Sequence, residues 1–260
     1  MAELEYCKTD RDGPILIVTL NRPEVMNSLH PMANQELAGV FDAFAADPDQ
    51  WVAIITGAGE RAFSAGNDLK FQASGGRGRV EMPATGFAGI TSRFDCPKPL
   101  IAAVNGVAMG GGFEIALACD IIVASDKALF ALPEPRVGLA ALAGGIHRLP
   151  RVIGTKRAMG MLLTGRRVGA QEGLELGFVN EVVPHDDLMK AARRWADQIL
   201  ECAPLSVRAS KEAAMKGLEV GLEEAMTARY DQLIGMLKSE DFVEGPRAFA
   251  EKRKPDWKGK

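Results

Sequence analysis

The chain has 260 residues, 47% of them hydrophobic and 25% charged, with a formal net charge of −3. That is the composition of a soluble globular protein with ample core material, and the slight acidity argues against a polyanion as its main partner. Four scattered cysteines (Cys7, Cys96, Cys119, Cys202) and three histidines argue against a disulfide framework or a multi-histidine metal site. No run of about 18 apolar residues marks a membrane span. The polar start MAELEYCKTDRDG lacks the apolar centre of a signal peptide. A cytoplasmic protein is expected.

PILIVTL (14–20) is a β-branched run between DG and NRP and predicts a strand. Residues 31–47 carry apolar positions at helical spacing behind Pro31 and predict a helix. WVAIITG (51–57) predicts a buried strand, followed by a turn into a short helix with Asp68 in its first turn. Residues 72–89 are rich in glycine and polar side chains and predict a mobile loop. PLIAAVNG (99–106) predicts the next strand, and Gly110, Gly111 and Gly112 lead from it into a helix. DIIVAS (120–125), ALFAL (128–132) and FVNEVV (178–183) predict further strands, with helices between the last two. From about residue 185 the pattern is helical to the end. The expected organisation is an α/β core over residues 1–195 and a helical region over 196–260. The apolar stripes of that region have no sheet of their own to cover and suggest docking on a second copy.

IITGAGERA places Gly57, Gly59 and Ala62 as G-x-G-x-x-A after a strand. A dinucleotide site requires a long helix next, and here the chain breaks at Ser64–Ala65–Gly66. Two strand-to-helix junctions are more informative: SAGNDL (64–69) and MGGGFE (109–114). Helix starts expose unsatisfied N–H groups, and small residues let a ligand oxygen approach the backbone. Two such junctions side by side can form an oxyanion hole, although the glycines alone serve tight packing equally well. The carboxylates tip the balance. Glu114 sits in an otherwise apolar helix, and Glu134 lies between two prolines expected to hold the backbone extended. A buried, unpaired carboxyl shifts towards neutral pKa, as acid–base catalysis requires. Salt bridges to Arg136 or Arg148 are the ordinary alternative.

AFSAGNDL, PLIAAVNGVAMGGGFEIALACDIIVAS, FALPEPRVGL, AGGIHRLPRVIG and LTGRRVGAQEGLELGFVNEVV resemble the crotonase superfamily, in order and spacing, from about residue 12 to the C-terminus. The resemblance implies a spiral of ββα turns followed by a helical trimerisation region, assembled as trimers or hexamers. It implies acyl-CoA thioesters as substrates, with coenzyme A part of the substrate and no separate cofactor or metal. It also implies an oxyanion hole made of the N–H groups of Asn67 and Gly111. The stretch Ala65, Gly66, Asn67, Asp68, Leu69 and Lys70 would lie against the adenine end of CoA, and Gly110 would also belong to the substrate and CoA site. Phe249 and Lys252 would approach CoA from a neighbouring subunit. Both family glutamates are present, as Glu114 and Glu134, and in the superfamily's hydratases they hold the water that adds to a 2-enoyl-CoA of fatty acid metabolism. GFAGIT (86–91) and the C-terminal segment also resemble the carnitinyl-CoA dehydratase branch; isomerisation is a further reaction of the superfamily. One position departs from the pattern: Leu142 stands where hydratases have the first glycine of a P-G-A-G-G turn, so it is expected to keep a backbone N–H while narrowing or reshaping the acyl pocket. The basic stretch 252–260 is better explained by CoA phosphates or solvent than by nucleic acid.

Overall fold

The computed structural model of the protein describes residues 4–76 and 81–260. In chain order its elements are β1 (Cys7–Asp12), β2 (Ile15–Leu20), α1 (Pro31–Ala46), β3 (Val52–Gly57), β4 (Ala62–Ser64), α2 (Leu69–Phe71), β5 (Leu100–Val104), β6 (Val107–Met109), α3 (Gly111–Ala118), β7 (Ile121–Ser125) and β8 (Leu129–Ala131). They continue with α4 (Gly145–Ile153), α5 (Thr155–Thr164), β9 (Val168–Gly169), α6 (Ala170–Leu176), β10 (Glu181–Val183), α7 (Leu188–Leu200), α8 (Pro204–Gly217), α9 (Leu222–Thr227), α10 (Asp231–Leu237) and α11 (Glu240–Ala250).

Two sheets form, in the orders β1-β2-β3-β5-β7-β10 and β4-β6-β8-β9. The pairs β3/β4, β5/β6 and β7/β8 each give one strand to each sheet, so the chain winds as a spiral and its core strands run parallel. Central parallel strands are covered on both faces, which explains the continuous Val/Ile/Ala runs of β3, β5 and β7. One face packs into a core with α1, α3 and the Phe113–Phe130–Phe178 aromatic cluster. Ile17, Ile54, Ile101 and Val123 on the other face pack against Leu188, Ala191, Ala192 and Ala196 of α7.

Helix α7 corrects one expectation: the first helix of the C-terminal run covers the large sheet rather than leaving its apolar stripe unpartnered. The 195/196 boundary falls within this helix, and α8 to α11 follow it. Strand β1 was not expected, because CKTDRD exposes five of its six residues along the sheet edge and lacks an apolar pattern.

The expected loop over 72–89 is also corrected in part. Residues 77–80 lie outside the described residues. Phe87, Ala88 and Gly89 are buried in a 3-10 turn, pinned by the Ala88 N–H donating to Asn34 Oδ1 at 2.7 Å. A Cβ on Gly89 would meet the Ala38 backbone at 2.5 Å. Glycine serves close packing there, not mobility.

Candidate active site

Strands β4 and β6 pair in parallel in the small sheet, so the two glycine-bearing junctions that follow them lie side by side. Gly66 has φ +87° and Gly110 φ +53°, a region that L side chains resist. A Cβ on Gly112 would overlap the Ser64 carbonyl oxygen. The two turns are in backbone contact, and this contact is what the glycines permit.

Asn67 forms an isolated parallel bridge with Leu29. The Leu29 N–H donates to Gly66 O at 2.8 Å, and the Asp68 N–H donates to Leu29 O at 3.0 Å. In a parallel ladder the groups flanking a residue take the bonds, so the N–H of Asn67 itself is turned away from Leu29. It has no acceptor among the described residues. Gly111 is the first residue of α3, and its N–H also has none. Sequence reasoning expected these two donors.

Glu114 lies in the first turn of α3, 3% exposed. Its Oε1 accepts the Gly145 N–H at the start of α4, at 2.8 Å. Burial pushes its carboxyl up to about 7; the Gly145 N–H opposes this shift and the Glu134 charge adds to it. Glu134 opens a 3-10 turn over Glu134–Val137. This corrects the extended backbone expected between the two prolines: Gly138, in the left-handed region, closes the turn by donating back to Glu134 and Pro135. Glu134 Oε2 is buried without a partner among the described residues, and burial raises its pKa. Its Oε1 lies 2.8 Å from the position a Cβ on Gly110 would take. The Glu134 carboxyl therefore sits against the turn that begins α3.

The salt-bridge alternative does not hold. Arg136 donates to the Thr164 carbonyl at 2.8 Å. Arg148 folds over its own helix start, with its guanidinium carbon 5.8 Å from the Phe94 ring centroid. Neither glutamate has an ion-pair partner among the described residues.

The other expected residues are placed as follows. Ala65 is half-buried, while Leu69 and Lys70 are exposed at the rim beside Asn67. The Asp68 carboxylate points inward, to Arg22 and the Phe71 N–H. Leu142 is 78% exposed, and its N–H donates to Ala140 O at 2.8 Å, so it is not the free donor expected of that position. Phe249, 88% exposed, and Lys252 lie at the end of α11. Two contributors escaped sequence reasoning. Gly145 donates to Glu114, and Phe87 places its ring 2.6 Å from where a Cβ on Gly111 would stand. The Gly144–Gly145 pair opening a helix was the available signal for the first. For Phe87 the only signal was the resemblance of GFAGIT (86–91), which marked the stretch but not the contact with Gly111, 24 positions away. No cluster of three metal-ligating side chains occurs among the described residues, and no described helix is long and apolar enough to cross a membrane.

Free N–H donors on two touching turns, next to two carboxyls with raised pKa, can polarise a carbonyl and move protons beside it. Fold and site thus define a spiral α/β protein with two free backbone donors beside two carboxyls of raised pKa. The enoyl-CoA hydratase/isomerase family matches residues 10–260. Carnitinyl-CoA dehydratases of Escherichia coli K12 and Proteus mirabilis HI4320 are each 47% identical, over 96% and 95% of this chain and 97% and 96% of theirs. An enoyl-CoA hydratase structure from Mycobacterium tuberculosis H37Rv superposes with a TM-score of 0.91 at 37% identity, covering 98% of this chain and 99% of that one. One from Bacillus anthracis gives 0.91 and 37%, covering 98% and 100%. The chain belongs to the enoyl-CoA hydratase/isomerase family, in the crotonase superfamily.

Proposed function

We propose that this protein is a hydro-lyase that interconverts 2-enoyl-CoA and 3-hydroxyacyl-CoA thioesters. The observation that carries the reading is the pair of glutamates, Glu114 and Glu134, both raised in pKa and neither in an ion pair among the described residues, beside the free N–H groups of Asn67 and Gly111. The thioester oxygen accepts from the two N–H groups, and the negative charge of the enolate collects there as water adds at Cβ. One misplaced or missing donor costs about 3–4 kcal/mol of this stabilisation. Burial raises both carboxyls and the Glu134 charge adds to the shift of Glu114, so the two glutamates can divide the roles of base and acid. The ionised member takes a proton from water, and the protonated member delivers one to Cα. This chemistry calls for neither a metal nor a redox group.

CoA lies along Ala65 to Lys70 in this reading, with Phe249 and Lys252 supplied by a neighbouring copy in a trimer or hexamer and the helical region serving that assembly.

The 47% identity to carnitinyl-CoA dehydratases favours a second, narrower reading, in which the same elimination acts on a 3-hydroxyacyl-CoA bearing a quaternary ammonium at C4. Loss of enoyl absorbance with crotonyl-CoA and crotonobetainyl-CoA compares the two by kcat/KM. In either case Glu114→Gln and Glu134→Gln each lose about 10²–10⁴-fold in kcat while still binding acyl-CoA. Both variants running at the parent rate would sink the mechanism.

A further inference from the structure

Arg22, Leu29 and Asp68 touch neither glutamate, yet they close around Asn67. Arg22 follows β2, and its Nη1 donates to Asp68 Oδ2 at 3.0 Å and to the Ser28 carbonyl at 2.5 Å. Its side chain is 15% exposed and that of Asp68 10%. Ser28 precedes Leu29, and Asp68 follows Asn67. One guanidinium nitrogen therefore ties together both strands of the Leu29–Asn67 bridge.

The rest of the surroundings leave this arrangement little freedom. The second Asp68 oxygen accepts the Phe71 N–H at 3.1 Å and caps α2. Burial alone would push the Asp68 carboxyl up, but the Phe71 N–H and Arg22 outweigh it and hold it below the usual carboxylate range. Asn27 Oδ1 accepts the Arg22 N–H at 3.0 Å, and Asn27 Nδ2 donates to the Ala58 and Ala62 carbonyls. His30, next to Leu29, is wedged between Tyr6 and Phe71, with ring centroids 4.6 and 5.2 Å away. The bridge itself consumes the Leu29 N–H and C=O on Gly66 and Asp68. Rotation of the 66–67 peptide, the motion that would swing the Asn67 N–H, breaks the Leu29–Gly66 bond first.

We propose that the Arg22–Asp68 ion pair is a positioning device for the Asn67 N–H, locking the Leu29–Asn67 bridge so that this donor faces the thioester oxygen before substrate arrives. The proposal rests on the oxyanion-hole reading above. A preorganised donor stabilises developing charge without reorganising during the reaction, and a shift of about 1 Å in such a group can cost about 10²-fold in rate. Arg22 and Asp68 are positioning residues: neither contacts the reacting atoms.

The experiment uses a 3-aryl-2-enoyl-CoA, whose conjugated thioester absorbs at longer wavelength when hydrogen bonds polarise its carbonyl. Ultraviolet spectra of the bound ligand are recorded for the parent, Arg22→Met, Arg22→Lys and Asp68→Asn, alongside steady-state kinetics. Asp68→Asn keeps a side-chain oxygen for the Phe71 cap and is the variant that decides should Arg22→Met fail to fold. The parent is expected to show a red shift. Arg22→Met and Asp68→Asn should bind the ligand with a smaller shift, and kcat should fall about 10–10²-fold with KM little changed. Arg22→Lys should recover part of both. A folded Asp68→Asn that keeps the full red shift overturns the proposal, whether or not its kcat falls. A parent that binds the ligand without any red shift overturns the oxyanion-hole reading itself, and the proposal with it.

Discussion

A Cβ placed on Gly66 would stand 2.7 Å from the amide nitrogen of Gly111 and 2.6 Å from the Met109 carbonyl oxygen. The residue before one proposed oxyanion donor is thus in backbone contact with the other donor. No flexible side chain lies between them to yield.

Gly66→Ala therefore separates the two turns as well as straining φ. The predicted loss in kcat is about 10²–10³-fold, the cost of one misaligned oxyanion donor. Gly59→Ala is the control: its φ of +77° is equally unsuited to a side chain, but the new Cβ would meet only Pro23 Cβ, at 3.6 Å. That variant loses about 1–2 kcal/mol of stability and keeps the parent kcat. Equal kinetic losses in both would show that strain, not the contact with Gly111, governs activity.

Glu114 predicts how stability depends on pH. Its folded pKa of about 7 lies above the ordinary carboxylate value of 4.5, chiefly through burial. Between these two values the folded state holds the proton more tightly than the unfolded chain does. Stability from this group is therefore present below pH 4.5 and is lost as pH rises to 7, by about 3 kcal/mol in all. Glu114→Gln cannot ionise. Measured by chemical denaturation, its stability relative to the parent should be more favourable at pH 8 than at pH 5 by about this amount. A difference independent of pH would mean that the carboxyl is not desolvated as described.

How far sequence alone reaches depends on whether the deciding contact is local. β2, β3, β5 and β7 were legible because central strands carry their own apolar runs. β4, β6 and β9, two or three residues each, were not, since only pairing with distant neighbours makes them strands. Glu114 declared itself as an acid in an apolar helix. Its hydrogen-bond donor, Gly145, did not, being 31 positions away. The residues flanking Glu134 misled: prolines on either side suggested extended chain, and the left-handed Gly138 four positions on folded it into a 3-10 turn. The glycine-rich composition around Phe87 suggested a loop, and tertiary packing against Gly111 and α1 overrode it.

Lys98 gives a prediction at alkaline pH. The side chain is buried, and its Nζ donates to the Phe44 and Asp47 carbonyls at 2.6 Å each, closing the C-terminal end of α1. Burial first, and the Arg208 charge second, lower its pKa to about 8 from 10.5. Between these values the unfolded chain binds the extra proton, so the contribution of this group to stability rises with pH from 8 to 10.5, by about 2–3 kcal/mol. Lys98→Met removes that dependence. Denaturation curves at pH 7.5 and 10 should show the parent gaining on the variant, and parallel behaviour would contradict the assignment.

Leu142 yields the prediction that bears on substrate choice. The resemblance sets it where hydratases of the superfamily have glycine; its side chain is 78% exposed, and its N–H is already committed to Ala140. So little buried surface depends on it that Leu142→Gly should cost no more than about 1 kcal/mol of stability, mostly chain entropy. Its effect on selectivity should be larger if the side chain borders the acyl group, because one methylene in a binding site is worth about 1–3 kcal/mol. Removing an isobutyl group should raise kcat/KM for a six-carbon 2-enoyl-CoA relative to crotonyl-CoA by about tenfold or more. Glu134, which in the proposed mechanism acts at the double bond whatever the chain length, should remain as essential in the variant as in the parent, so Leu142→Gly/Glu134→Gln should lose activity on both substrates as Glu134→Gln does. A selectivity ratio unchanged by Leu142→Gly would place the side chain outside the acyl pocket and leave the departure from the hydratase turn without consequence for the substrate.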